Sequence, residues 1–379
     1  MLNRINQVLE HSFHTVMHSG QHYKIACEHT ASKPKRVRPW TLNLGLVFLL
    51  CGIVMGCGER SNTVVSIALN PTKSNILYIA TDEAVYKTRD SGQSWERFEG
   101  ELKRTRVISL AIDPQLPANV FAGTNGDGAY KSPDGGRSWH QFNQGLQRGT
   151  ISSIVNQIVF HPGDSQTLYA ATTVGIFQSS DGGKTWEPRL SGMTEINFVV
   201  SLAIDPHRPE IMYAGTTGGV YRTKNSAENW VKVTEGMVAA DAKMASMAMG
   251  VNSLAIDPKN PLIVYAGTTQ GLFKSTNQGN NWTKVGDALG AGYVSEIQLD
   301  PSNPDTIYLA TSQGVKKSLD GGETWSLKSS GLEATSIRSV KIDQKNPKTL
   351  YIGTNGGGLY RTEDGGETWT HLPLTAVRK

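Results

Sequence analysis

Carboxylates are the residues with which this 379-residue chain could do chemistry. Two of them held roughly 5–10 Å apart over a sugar-sized groove make a glycosidase. Asp82, Glu83, Asp127, Glu195, Asp287, Glu296 and Glu333 are the candidates, and no spacing among them singles out a pair. Glu296 breaks a column of serines described below and is the first carboxylate to mutate. Ser-His-Asp chemistry has less to rest on: there is no G-x-S-x-G elbow, and His140, His161, His207 and His371 are scattered. The runs Asn125-Gly126-Asp127-Gly128 and Asn355-Gly356-Gly357-Gly358 lack a following helix and read as turns rather than phosphate cradles. No metal and no cofactor is expected, and binding is favoured over catalysis.

The elements that must position these residues repeat. Ser318-Leu319-Asp320-Gly321-Gly322-Glu323-Thr324-Trp325 is one of seven copies of an octamer. Each copy ends on a tryptophan: Trp95, Trp139, Trp186, Trp230, Trp282, Trp325 and Trp369, at intervals of 44, 47, 44, 52, 43 and 44 residues. A period in this range signals a repeat architecture. The acid or amide of each copy (Asp90, Asp134, Asp181, Asn225, Asn277, Asp320, Asp364) can fold back onto backbone N–H groups, and the glycine two places on in six copies (Gly92, Gly136, Gly183, Gly279, Gly322, Gly366) can take positive φ. The octamer is therefore a hairpin turn, and its tryptophan opens the next strand. An indole buries roughly 150–250 Å², so Trp325→Ala is expected to cost about 3–5 kcal/mol.

Around each octamer stand four short runs rich in β-branched and aromatic residues, as in Val251–Asp257, Ile263–Thr268, Gly271–Ser275 and Trp282–Val285. Four strands in each of seven periods make an all-β protein, a seven-bladed β-propeller with four antiparallel strands per blade. The blades are expected over residues 64–100, 107–145, 155–192, 199–236, 251–287, 294–331 and 337–373, with 57–63 a tether and 374–379 a tail.

Residues 1–56 read as a targeting segment. Lys33, Lys35, Arg36 and Arg38 precede the uncharged run Leu42–Gly56, which matches a basic n-region followed by an apolar core. Five of the nine histidines lie in the first 30 residues, which are long for an n-region and fit a start at Met17 or later. The segment also explains the formal charge of +4: it holds six of the 37 basic and two of the 33 acidic residues, leaving 31 of each. A neutral propeller has no general electrostatic affinity for nucleic acid. Cys57 is the one cysteine after the segment, so no internal disulfide is possible.

The octamer resembles the Asp-box, or BNR repeat, of sialidases, sortilin-type receptors, xyloglucanases and the photosystem II assembly factor. The longer pattern Asp-Pro, Tyr-Ala-Gly-Thr, Gly-Leu-Phe-Lys-Ser and the octamer is most similar to the last two groups. The resemblance implies a structural turn away from the working face, and it identifies the fold without an activity. Val54-Met55-Gly56-Cys57 resembles the lipobox of bacterial lipoproteins. That implies a lipid on Cys57, attachment to a membrane, and, with Gly58 following, the outer membrane of a diderm cell.

Function is then sought where the repeats differ. The first strands align Val64, Val107, Val155, Val199, Val251, Val294 and Ile337; two places on come Ser66, Ser109, Gln157, Ser201, Ser253, Glu296 and Ser339. Between those columns Asn156, Asn252, Ser295 and Arg338 replace the valine or isoleucine of the other blades, and the preceding linkers add Arg104, Arg106, Phe198 and Tyr293. First strands line a propeller's channel, so these residues would decorate its mouth. The long linker Thr234–Gly250 carries Met237, Met244, Met247 and Met249, an adaptable apolar surface. The expected protein is a monomeric, lipid-anchored scaffold for an envelope protein or polysaccharide. The alternative is a carbohydrate-active enzyme using Glu296.

Overall fold

Short apolar runs joined by tight turns pair with their sequence neighbours, so each repeat folds into its own sheet. The computed structural model describes residues 63–98, 100–102, 104–146, 154–193, 198–237, 250–286 and 292–374. The chain divides into two units, residues 1–57 and 58–379, and the sheets belong to the second. In blade 1, β1 (Val64–Leu69), β2 (Leu77–Thr81), β3 (Val85–Thr88) and β4 (Glu96–Phe98) pair antiparallel in sequence order. Six further four-stranded sheets repeat that order, giving 28 strands in a ring. First strands pack against the first strands of both neighbouring blades, and Ile337–Ile342 of blade 7 packs on β1 to close the ring.

Second strands are buried along their whole length in six blades, as at Leu77–Thr81 and Leu350–Thr354, and over the Leu168–Thr172 part in blade 3, because a blade covers each face. The usual strand alternation is lost there. First strands keep a bulge near their start in all seven blades, as between Val64 and Ser66. A bulged residue leaves the ladder and re-aims its side chain. Val65, Ile108, Val200, Asn252, Ser295 and Arg338 hold that bulged place, and Asn156 takes the same column in blade 3, so the divergent column of the sequence is the column the backbone turns out.

The octamers join third to fourth strands as hairpins. In blade 6 the Ser318 hydroxyl donates to Asp320 Oδ1 at 2.7 Å, and Asp320 accepts the Thr324 N–H at 2.9 Å and its hydroxyl at 2.5 Å. The Ser318 hydroxyl also accepts the Gly322 N–H at 2.9 Å. Two successive residues take positive φ, Gly321 and Gly322 here (+68° and +97°). That pair turns the Gly321 carbonyl outward, toward blade 5, where Lys274 Nζ and the Tyr265 hydroxyl donate to it at 2.9 and 3.0 Å. Lys87 with Tyr78 serves Gly135 in the same way, and Lys317 with Tyr308 serves Gly365. The turn is thus also an inter-blade clamp, with each lysine standing over its tyrosine ring.

These carboxyl groups carry a pH dependence. The Thr324 hydroxyl and N–H, then the Ser318 hydroxyl, hold Asp320 down at about 2. For Asp134 and Asp181 burial pushes upward, but the hydrogen bonds of Ser138 and Ser132, and of Thr185 and Ser179, prevail and leave both near 2. Asp364 is lowered by Thr362 and Thr368. A folded value below the unfolded ~3.9 stabilises the protein above about pH 4, and that contribution is lost as pH falls through about 2. Melting temperature followed by circular dichroism should fall over this window. It should fall less steeply in Asp134→Asn/Asp181→Asn/Asp320→Asn/Asp364→Asn, a change that Asn225 and Asn277 already make in their own turns. Equal slopes in both proteins would remove the role assigned to the turns.

Six of the seven octamer tryptophans are buried, at 1–4% exposure. Trp325 departs from the expectation: it is half-buried, and its Nε1 donates to Gly322 of its own turn at 2.9 Å. By contrast, Trp186, Trp282 and Trp369 donate through Nε1 to Phe142, Val233 and Lys328 of the preceding blade. Those tryptophans are received by a second turn that the sequence analysis passed over. Gly145, Gly192, Gly236 and Gly331 stand six residues after the previous tryptophan, with φ of +84° to +95°. The residue before each glycine accepts the next tryptophan's N–H: Gln144, Ser191, Glu235 and Ser330 at 2.7–2.9 Å. The equivalent place ahead of Trp325 is Ala288, which lies outside the described residues.

Candidate binding face

Strand register divides the ring into two rims. Leu69 pairs with Leu77 and Leu77 with Thr88, so the first–second turns and the octamers share one rim. Val64 pairs with Thr81 and Val85 with Phe98, which places the second–third hairpins and the blade-to-blade linkers on the other. Arg104, Arg106, Phe198, Tyr293 and Arg338 belong to this linker rim, opposite the octamers. Asp82, Glu83, Asp127 and Glu333 share it. Glu195, Asp287, Cys57, Met244, Met247 and Met249 lie outside the described residues, while Met237 is a core residue beneath blade 5.

Most polar groups of the inner columns are spent on holding neighbouring blades together. The Asn156 and Asn252 amides donate to the Val199 and Val294 carbonyls at 2.8 and 2.9 Å, and the Ser295 hydroxyl to Ile337 at 2.9 Å. In the next column Ser66, Gln157 and Ser253 accept the N–H groups of Leu110, Leu202 and Ile297 at 3.0, 2.7 and 3.1 Å. Glu296 does likewise: Oε2 accepts the Val340 N–H at 2.9 Å, and Oε1 is paired with Lys341 Nζ. Lys341 is a partner that sequence reasoning missed, although it lies four residues beyond Ile337 in a column otherwise small or apolar in five of the seven blades.

Aromatic surface on this rim stays open to solvent. Arg106 is bound to Asp82 of blade 1 at 2.9 Å, a bridge that ties blades 1 and 2. Phe198 and Tyr293, by contrast, leave about two-fifths of their surfaces exposed (42% and 41%), on blades 4 and 6. Each is fixed by its backbone: Thr217 N–H donates to the Phe198 carbonyl at 3.1 Å, and Ser312 N–H to Tyr293 at 3.3 Å. Arg104 is exposed and Arg338 half-buried. Tyr293 enters blade 6 and Arg338 lies on the first strand of blade 7, whereas Phe198, Arg104 and Arg106 belong to blades 4 and 2. The candidates therefore form a decorated rim rather than one tight cluster.

Seven consecutive four-stranded sheets with Asp-box turns define a seven-bladed β-propeller, and comparison with known proteins agrees. Residues 83–175 match the family of sortilin, neurotensin receptor 3 (Sortilin-Vps10). A "Probable oligoxyloglucan-reducing end-specific xyloglucanase" of Neosartorya fischeri is 24% identical over 138 residues, covering 32% of this chain; the chain spans 17% of that relative's length. The structure of YCF48 bound to D1 peptide superposes with a TM-score of 0.61 at 16% identity, over 80% of this chain and 93% of YCF48. An ancestral GH74 enzyme superposes with a TM-score of 0.65 at 18% identity, over 82% of this chain but 46% of the enzyme. At such identities the likeness to solved structures is one of fold.

Proposed function

We propose that this protein is an exported propeller, anchored through a lipid on Cys57, that binds a protein or polysaccharide of the cell envelope as a monomeric, non-catalytic scaffold. The observation that carries the reading is the division of labour on the linker rim. Glu296, the candidate catalytic carboxylate, is committed to Lys341 and to a backbone N–H, while Phe198 and Tyr293 present exposed aromatic surface. Exposed aromatics on a rigid rim suit recognition. A protein partner is favoured by the near-complete overlap with YCF48, whose structure holds a peptide; the GH74 enzyme is about twice as long as the overlap.

The test compares crosslinked envelopes expressing the wild type with the Phe198→Ala/Tyr293→Ala/Arg338→Ala variant. One discrete crosslinked species, lost in the variant, is expected. Retention of that species would take the rim out of the function. Cys57→Ser should abolish incorporation of a clickable fatty acid. The xyloglucanase likeness favours hydrolysis as a second reading, and release of reducing ends from xyloglucan that Glu296→Gln abolishes would put it first.

A further inference from the structure

Blade 4 carries a groove on the octamer rim, of about 210 Å³, lined by Arg222, Lys224, Asn225, Asn229 and Val231. Its chemistry differs from that of the other octamers. In blades 1, 2, 3, 6 and 7 an aspartate accepts both the N–H and the hydroxyl of the residue four places on, as Asp134 does with Ser138 at 2.9 and 2.7 Å. Blade 4 has replaced both partners, with Asn225 and Asn229. Asn225 Oδ1 still accepts the Asn229 N–H at 3.1 Å and the Thr223 hydroxyl at 2.8 Å, which fixes the amide and leaves Nδ2 as the outward atom. Blade 5 carries the same pair of residue types, yet there Asn277 Nδ2 donates to Asn281 Oδ1 at 3.1 Å and the donor is used up. In blade 4 Asn229 Oδ1 turns instead to the Ser191 hydroxyl at 3.3 Å. Both amide NH₂ groups therefore lack an acceptor among the described residues.

Two cations complete the lining. Arg222, on the groove wall, spends Nη1 on the Gln278 carbonyl and on Asn280 Oδ1 (2.5 and 2.9 Å), which ties the guanidinium to blade 5. Lys224 is exposed and makes no ion pair among the described residues. No carboxylate lines the groove; Glu228, in the same turn, is exposed outside it. A wall of N–H donors and two positive charges, at the place where five sister blades hold a carboxylate, is complementary to an anion with several acceptor oxygens.

We infer that the blade 4 turn is a binding site for a phosphate-type oxyanion, either free or carried by a lipid headgroup. The proposal is independent of the linker-rim function. Calorimetric titration of the full chain with inorganic phosphate and, separately, with glycerophosphoglycerol at about 10 mM, enough to fill a millimolar site, tests it. Asn225→Asp restores the aspartate that five sister turns carry at this place, so it should fold normally and bind at least about tenfold more weakly, because a carboxylate would face the anion. Lys224→Gln should weaken binding in the same direction, and Asn277→Asp in blade 5 should leave it unchanged. Equal binding of both probes assigns a free oxyanion, and binding of glycerophosphoglycerol alone assigns a lipid headgroup. If neither probe binds, or if Asn225→Asp binds as wild type does, the site does not exist.

Discussion

Trp139→Ala is expected to cost about 3–5 kcal/mol, while Trp325→Ala, the same substitution at the same place of the repeated turn, should cost less than half as much. Trp139 is 1% exposed and packs edge-on against Phe98 of the preceding blade, with ring centroids 6.5 Å apart. Its removal deletes the outer wall of the cluster that also contains Tyr78, Val107, Val120 and Tyr130. Trp325 already stands half in water and spends its N–H within its own turn, so less contact is there to lose. Urea unfolding followed by circular dichroism measures both. Similar losses for the two variants would mean that solvent exposure does not set the value of this position.

Gly145→Ala should destabilise by about 3 kcal/mol or more, a sum of two effects. Residue 145 has φ of +95°, where alanine pays roughly 1–2 kcal/mol. A Cβ added there would also lie 1.8 Å from the Trp186 carbonyl oxygen, which is backbone and cannot swing aside. Forcing the two blades apart adds overpacking strain of roughly 1–3 kcal/mol. Gly163→Ala is the control, since its nearest neighbour would be a His161 ring atom at 3.8 Å and its φ is ordinary. A Gly145→Ala protein as stable as that control would show that the junction can open without loss.

The ring was legible because each repeat states its strands and its turn in residue types that local physics reads directly: aspartate and glycine for the hairpin, β-branched runs for the ladders. What couples the repeats was less so. The glycine six places after each tryptophan recurs visibly at 145, 192, 236 and 331, but its reason, a carbonyl of the next blade pressed against it, exists only once two blades meet. The same holds for Lys87, Lys274 and Lys317, which look like solvated charges in sequence and are clamps in space. On the linker rim, the divergent column of the sequence coincides with the bulged column of the backbone. It could not tell that Asn156 and Asn252 diverge to bind a neighbouring blade, because a carbonyl exposed by a bulge in another repeat leaves no trace in composition.

The tryptophan junctions also give the ring a direction. Trp186, Trp230, Trp282 and Trp369 are each received by a turn of the blade before, about 40 residues earlier, as Trp186 by Gln144 and Trp369 by Ser330. A chain emerging from its N-terminal side, across a membrane or from a ribosome, therefore always brings a new blade to a docking place already formed. Assembly is in that sense templated growth along one axis, with nearest-neighbour terms as in other repeat proteins. The exception is the last contact, between blades 7 and 1, where Lys345 reaches the Thr72 carbonyl across 273 residues and Leu372 settles against Gly92. Only that step carries the loop-closure entropy of a long-range encounter, so closure rather than blade formation should set the rate at which the finished ring appears.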